Sequence, residues 1–185
     1  MSGDGSVRAF VALELDQPLC ASLEELQQRL RPSLGGIRLV RPEGIHLTLR
    51  FLGQASPEQI QALEPPLARA ARACPPLDAR VGGVGLFPDR GRPRVLWVGM
   101  ELPPTALELQ RACERVARDA GFEPERRPFL AHLTLGRWRD RAARPELPET
   151  TDLGHTRLDS LVLFRSETAP SGAVYMPLAR FPLGR

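Results

Sequence analysis

Two of the three histidines in this chain stand in identical tetrapeptides, HLTL, which begin at His46 and His132. Side chains alternate between the faces of a strand, so each histidine shares a polar face with the threonine two residues on, Thr48 or Thr134. Two imidazoles across a cleft suit general acid–base chemistry, because the ordinary pKa of histidine is about 6.5. A hydroxyl beside each can bind a phosphate oxygen. The pattern predicts phosphodiester cleavage, with one histidine activating water and the other protonating the leaving oxygen.

Positive charge for a phosphate is available on both strands. Arg50 falls on the predicted polar face of the first strand, and Arg137 follows the second motif; we predict that both bind phosphate, Arg50 the more weakly. A zinc site is the competing use of paired histidines. Neither strand carries Asp or Glu on its polar face and no Cys lies near either motif, so the ligand set for zinc is poor. The residues favour a reaction without metal.

Composition limits the function only loosely. The 185 residues are enough for one domain or two small lobes with a real core. All 25 basic residues are Arg, with no Lys or Asn, a bias typical of a GC-rich genome, so the arginine content is weak evidence for nucleic acid. Three cysteines without a CxxC pattern predict small buried side chains. We find no signal peptide and no membrane span, and expect a soluble, cytoplasmic protein that works as a monomer.

Hydrophobic periodicity predicts an alternation of strands and helices. The first helix has Leu at positions 19, 23, 26 and 30, the second opens at Ser56-Pro57, and the third is stopped by Gly121. Pro65-Pro66 is expected to kink or break the second helix. Among single residues, Phe51, Phe129 and Trp97 are predicted to be core side chains, and His155 a surface histidine. Strands are predicted at 7–15, 37–40, 45–53, 77–87, 93–100, 128–138, 156–166 and 173–183.

The surroundings of the two motifs also repeat. Arg8 precedes His46 by 38 residues, and Arg94 precedes His132 by the same 38 residues. The same shift brings Pro18 onto Pro104, each at the start of a predicted helix. We therefore predict a single domain made of two duplicated lobes, with approximate repeat units 8–53 and 94–137. The fold class expected is α+β, with two pseudo-symmetric lobes, an antiparallel sheet in each, helices packed outside and a central groove.

Five segments, in order and across nearly the whole chain, resemble the 2H phosphoesterase superfamily, which is defined by two H-x-[ST]-x motifs. More closely they are similar to the RNA 2′,3′-cyclic phosphodiesterases, also called 2′-5′ RNA ligases. The segments are RAFVALEL (8–15), RPEGIHLTLRFLG (41–53), GVGLFPDRGRPRVLWVGM (83–100), RPFLAHLTLGR (127–137) and LFRSETAPSGAVYMPLARFPL (163–183).

The resemblance implies that the chain hydrolyses an RNA-terminal 2′,3′-cyclic phosphate to a 2′-phosphate, without metal or cofactor. It implies that His46 is the proton donor, His132 the proton acceptor, and Thr48 and Thr134 the ligands of the phosphate oxygens. Reverse ligation of 2′-5′ RNA ends would use the same residues with the roles exchanged. Two other functions stay open: a phosphodiesterase for small cyclic nucleotides, and a non-catalytic RNA- or nucleotide-binding module.

The chain departs from the family pattern at two places. Leu39 stands where the family usually has an aromatic residue, which predicts weaker base stacking. Leu130-Ala131 replaces the Arg-Pro that the family favours before the second motif, which removes a possible phosphate or sugar contact.

Overall fold

The computed structural model describes residues 5–139, 142–169 and 172–184, without the side chains of 168, 169 and 172. Its helices are α1 (Gln17–Leu30), α2 (Pro57–Ala73) and α3 (Pro104–Asp119). Its strands are β1 (Val7–Leu13), β2 (Ile37–Leu39), β3 (Leu47–Ala55), β4 (Leu77–Phe87), β5 (Val95–Glu101), β6 (His132–Trp138), β7 (Asp152–Leu158), β8 (Ser160–Ala169) and β9 (Gly172–Pro182).

These strands form one curled antiparallel sheet whose order is symmetric about its centre. The main path runs β7-β4-β5-β6-β3-β1-β8-β9, and β2 pairs with the later residues of β6. β6 and β3 are the central pair, and each is followed outward by three strands of its own half. The prediction of an α+β fold with two pseudo-symmetric antiparallel halves is therefore confirmed.

The symmetric order suits the predicted duplication of units 8–53 and 94–137, which stays a prediction. The strands that flank the central pair, β1 and β5, do not correspond at the shift of 86 residues that pairs Arg8 with Arg94. Ala12 lies opposite Thr48, whereas Trp97 lies opposite Thr134, so β1 and β5 correspond one residue out of step with the sequence repeat.

The helices cover one face of the sheet and leave the other face open as a groove. The leucines predicted for the first helix are all buried in α1, because spacings of three and four residues place them on one side. Buried residues of all three helices join one core cluster with the apolar face of the strands. Each leucine removed from water there contributes about 1.5–3 kcal/mol.

The expected break in the second helix does not occur, since α2 runs through Pro65 and Pro66. A proline removes the hydrogen bond to the carbonyl four residues before it. Gln61 and Ala62, whose carbonyls lose that bond, lie on the exposed side of α2, where water can hydrate them. Leu63 and Leu67 are fully buried on either side of the prolines and hold both halves of the helix against the same core.

One predicted strand, 156–166, is wrong because the chain forms two strands there. β7 ends at Leu158 and β8 begins at Ser160, and the two lie in opposite halves of the sheet. The chain therefore crosses between the halves at Asp159.

Within the described residues, no helix is long and apolar enough to span a membrane.

Each central strand carries a β-bulge at the same position relative to its motif. In β3 the partners jump from Ala12–Thr48 to Val11–Arg50, so Leu49 is the extra residue. In β6 they jump from Trp97–Thr134 to Leu96–Gly136, so Leu135 is the extra residue. An extra residue reverses the alternation of the side chains that follow it. In β6 the side chains beyond the bulge therefore face opposite to what simple alternation predicts. In β3 this holds for Arg50 and Phe51, before a second register shift at Leu52.

Candidate active site

The two HLTL motifs meet at the centre of the sheet. β3 and β6 run antiparallel and are paired at Leu47 and Leu133, whose fully buried side chains point into the core. The neighbouring side chains on each strand point to the opposite face, which is the groove. The fold therefore brings together the four residues that carry the predicted chemistry, all half-buried: His46, Thr48, His132 and Thr134.

Both imidazoles are held in the same way by the backbone just before them. Nδ1 of His46 lies 2.9 Å from the carbonyl oxygen of Gly44, and Nδ1 of His132 lies 2.8 Å from that of Leu130. A carbonyl oxygen only accepts hydrogen bonds, so Nδ1 is the protonated nitrogen in both rings. Nε2 of the neutral ring is then an acceptor, and it becomes a donor when the ring takes up a second proton. The two rings are therefore oriented identically for proton transfer at Nε2.

Aromatic rings enclose each histidine. His46 stacks on Phe10 with ring centroids 4.6 Å apart, and Tyr175 meets it edge-on at 4.9 Å. His132 meets Phe87 edge-on at 5.1 Å and Trp97 at 6.4 Å. These rings limit the movement of the imidazoles and shield them from water. The protonated, positively charged form of each histidine is therefore less stable.

Space for Trp97 depends on a glycine in the neighbouring strand. Gly85 lies opposite Trp97, and a Cβ atom there would come 2.1 Å from Cζ2 of the indole. Any larger residue at this position must displace the Trp97 indole, which lies beside His132.

The environment lowers the pKa of both histidines. Burial lowers the pKa of His46 to about 4; the Gly44 carbonyl opposes this, and the charges of Arg137 and His132 add to it. Burial also lowers the pKa of His132. The hydrogen bond to the Leu130 carbonyl acts in the opposite direction, and the charge of Arg137 lowers the pKa further. Both rings are therefore neutral at pH 7 in the protein alone. A bound phosphodiester anion would raise both pKa values, because it favours the imidazolium.

This electrostatic arrangement predicts acid sensitivity of the folded protein. The pKa of His46 is about 4 in the folded chain and about 6.5 in the unfolded chain. Between these values the unfolded chain binds more protons, so stability falls as the pH is lowered. From pH 7 to pH 5 this one group should remove about 2 kcal/mol. Urea unfolding of wild type and His46→Gln at the two pH values measures the difference.

The matched control is His155→Gln. His155 is exposed on β7, as predicted, so its replacement should leave the pH dependence of unfolding as it is in wild type. A His46→Gln variant that loses as much stability on acidification as wild type would contradict the buried, neutral state of His46.

Arg137 reaches the groove because of the bulge at Leu135. Arg137 stands three positions after Thr134, so strict alternation would turn it into the core, and the extra residue turns it back. Its side chain is exposed, and its charge acts on both histidines. Arg38 of β2 lies directly opposite Arg137, which puts two guanidinium groups on one face.

Arg50 does not lie in the groove, so the predicted sharing of a face with His46 and Thr48 is wrong. The bulge at Leu49 turns Arg50 into the core, where it is only 6% exposed. Nε lies 2.5 Å from Oε2 of Glu114 on α3. The two terminal nitrogens donate to the carbonyls of Phe51 and Glu123. Arg50 therefore joins β3 to α3 and is not placed to bind a phosphate in the groove.

The same bulge overturns the prediction that Phe51 is a core residue. Phe51 is 49% exposed and lies opposite Phe10, on the groove face, with ring centroids 6.1 Å apart. Phe129 is half-buried and packs against the main core, as predicted, whereas Trp97 is half-buried beside Phe87 and His132. The sequence reasoning missed the aromatic lining of the groove. One signal for it was available: Gly85, in a strand otherwise rich in apolar residues, marks the space that Trp97 occupies.

The two departures from the family pattern have distinct surroundings. Leu39 lies opposite Gly136, on the face away from Arg137, and packs against the main core. Leu130 is exposed and supplies the carbonyl that holds His132.

Cys74 and Cys113 are buried as predicted, and Cys20 is half-buried. Among the described residues, no three His, Cys, Asp or Glu side chains are grouped to hold a metal ion.

Comparison with solved structures shows where else this fold occurs. A crystal structure of a Thermus thermophilus protein has a TM-score of 0.86 and 32% identity, covering 96% of this chain and 98% of that one. The crystal structure of E. coli LigT complexed with 3′-AMP has a TM-score of 0.84 and 27% identity, covering 97% and 99%.

Sequence comparison identifies relatives that match nearly the whole chain. The RNA 2′,3′-cyclic phosphodiesterase of Methanothermobacter thermautotrophicus is 32% identical over 183 residues, covering 96% of this chain and 99% of the relative. That of Thermus thermophilus is 33% identical over 186 residues, covering 96% and 90%. A family model described as LigT-like phosphoesterase matches residues 13–97 and 100–175. The chain therefore belongs to the LigT-like phosphoesterase family, within the 2H phosphoesterase superfamily.

Proposed function

We propose that the chain is an RNA 2′,3′-cyclic phosphodiesterase that hydrolyses the terminal cyclic phosphate to a 2′-phosphate by acid–base catalysis without metal. Nε2 of His132 takes a proton from the attacking water. The new bond forms between the water oxygen and phosphorus, and the bond from phosphorus to the 3′ oxygen breaks. Nε2–H of His46 protonates the leaving 3′ oxygen. In ligation of 2′-5′ ends, the 5′ hydroxyl of a second RNA would take the place of water: His132 takes its proton, the bond from phosphorus to the 3′ oxygen breaks, and His46 protonates that oxygen. Cleavage of the 2′-5′ bond is this path in reverse, with the roles of the histidines exchanged.

The observation that carries this proposal is the matched orientation of the two imidazoles. In each, Nδ1 is committed to a backbone carbonyl, which leaves Nε2 to exchange a proton. An acid and a base that act in one step must be held near the same reacting phosphorus, one at the attacking water and one at the leaving oxygen. The pairing of Leu47 with Leu133, which sets the two motifs side by side, supports this arrangement.

The remaining groups suit an anionic substrate. Thr48 and Thr134 have hydroxyl donors beside the histidines, for the non-bridging phosphate oxygens. The guanidinium of Arg137 balances the charge of the phosphate, which increases as water attacks. The opposed positions of Arg38 and Arg137 favour an RNA end over a small cyclic nucleotide, because further phosphates of a chain can bind there. A monomeric state and a cytoplasmic location stay predictions.

The test is a cleavage assay on protein treated with EDTA. The substrates are an RNA oligonucleotide ending in a 2′,3′-cyclic phosphate and the corresponding cyclic mononucleotide. We expect the RNA to be converted to a 2′-phosphate end, identified by phosphorus NMR, at a kcat/KM at least about tenfold above that of the mononucleotide, which corresponds to about 1.4 kcal/mol of additional contacts.

Each other outcome identifies a different function. A strict requirement for divalent metal, or a 3′-phosphate product, contradicts the mechanism. A preference for the cyclic mononucleotide identifies a small-nucleotide phosphodiesterase. Binding of the RNA without turnover identifies a non-catalytic module.

A further inference from the structure

A buried glutamine on α1 holds the bulge in β6. Gln27 is 4% exposed, and its Nε2 donates to the carbonyl oxygen of Leu135, the bulge residue, at 2.8 Å. The same nitrogen donates to the carbonyl oxygen of Val40 at 2.8 Å. The amide of Val40 also donates to Leu135, at 2.8 Å. The carbonyl of the bulge residue therefore has two donors, one of them from a side chain distant in sequence.

The bulge in β3 has a weaker counterpart. Gln110 of α3 extends its Nε2 toward the carbonyl oxygen of Leu49, at 3.5 Å, the upper limit for a hydrogen bond. A glutamine from a helix thus approaches the bulge carbonyl in both halves of the sheet. The 2.8 Å contact, from Gln27, is made to the β6 bulge, which turns Arg137 into the groove. The 3.5 Å contact, from Gln110, is made to the β3 bulge, which turns Phe51 onto the groove face.

We propose that Gln27 is a positioning residue of the active site, which fixes the bulge at Leu135 and thereby holds Arg137 in the groove. This inference rests on the proposed role of Arg137 as a ligand of the substrate phosphate. Without the donor, the Leu135 carbonyl is left with the Val40 amide alone and the Val40 carbonyl loses its side-chain donor, both in a buried region where an unmet polar group is costly. Relief comes from shifting the bulge, and such a shift moves Arg137.

The test is a double-mutant cycle between Gln27→Met and Arg137→Ala, assayed on the RNA 2′,3′-cyclic phosphate end. Methionine has nearly the length of glutamine and cannot donate. We expect Gln27→Met to lower kcat/KM about tenfold, mainly through KM, because substrate binding is weakened. In the Arg137→Ala background the same substitution should change kcat/KM by less than about twofold, since coupled residues are not additive.

Gln110→Met is the matched control. Its hydrogen bond is long and serves the other bulge, so we expect kcat/KM within about twofold of wild type. If Gln27→Met does not fold, the cycle is run with Gln27→Asn, which keeps a shorter amide in the same place. Circular dichroism at the assay temperature confirms that each variant is folded.

The cycle separates failure of this inference from failure of the proposed function. Unchanged kinetics in Arg137→Ala remove the phosphate role of Arg137, and the inference falls with it. A damaging Arg137→Ala combined with a Gln27→Met loss that is equally large in both backgrounds overturns the inference alone. A Gln27→Met variant with wild-type KM and kcat overturns it as well.

Discussion

Alanine in place of either motif histidine is expected to lower kcat/KM on an RNA 2′,3′-cyclic phosphate end by about 10²–10⁴-fold. His46 and His132 supply the only imidazoles of the groove, and the single remaining histidine, His155, is exposed on β7. Loss of one leaves water to provide either the proton acceptor or the proton donor. The measurement is initial-rate kinetics on the 5′-labelled oligonucleotide, with the 2′-phosphate product resolved from the substrate.

Two comparisons make this result specific. The double variant should be little slower than the slower single variant, because an acid and a base that act in one step are not additive. His155→Ala should keep wild-type kcat/KM. Since His46 stacks on Phe10 and packs edge-on against Tyr175, thermal unfolding must show that the variants remain folded. Wild-type turnover in a folded His46→Ala or His132→Ala protein is incompatible with the proposed mechanism.

The position of the motif histidines was predictable because of what surrounds them in sequence. A strand with leucines on one face and histidine plus threonine on the other packs its leucine face on the core and exposes the polar face. Two such strands in one chain indicate a shared site. Their actual meeting at Leu47 and Leu133 could not be read from the sequence. It depends on which strands pair, and strand pairing is a long-range property that local patterns do not encode.

Arg50 and Arg137 show where simple alternation fails and why. Arg50 stands four residues after its histidine and Arg137 five, so simple alternation puts Arg50 in the groove and Arg137 in the core. The bulges reverse both placements. Nothing in the local sequence reveals them, because the extra residues, Leu49 and Leu135, are leucines at positions where a core residue is expected anyway. The donors that stabilise the β6 bulge come from elsewhere in the chain.

The assignment of acid and base to the two histidines rests on the family resemblance. Family resemblance assigns the acid to His46. Burial lowers the pKa of both histidines, that of His46 to about 4, so a proton donor at neutral pH depends on the bound phosphate. A bound phosphate anion raises both pKa values, and its position relative to the two rings decides which rises further. The position of the substrate phosphate therefore decides which histidine is the acid.

A substrate with sulfur in place of the bridging 3′ oxygen separates the two roles. A thiolate leaves without being protonated at neutral pH, because the ordinary pKa of a thiol is about 8.5. On this substrate the variant that lacks the acid should recover to within about tenfold of wild type, while the variant that lacks the base keeps its loss of about 10²–10⁴-fold. The proposed assignment predicts recovery in His46→Ala and none in His132→Ala. Release of the 3′-thiol, followed with a colorimetric thiol reagent, measures both.

The sulfur substrate also tests whether the roles are divided at all. Recovery in His132→Ala alone would reverse the assignment. Equal losses in both variants, on a substrate that needs no acid, would mean that neither histidine acts mainly as a proton donor. Both would then serve to bind and orient the phosphate, and the matched Nδ1 contacts to Gly44 and Leu130 would be a device for anion binding. His155→Ala, assayed alongside, should match wild type on both the oxygen and the sulfur substrate.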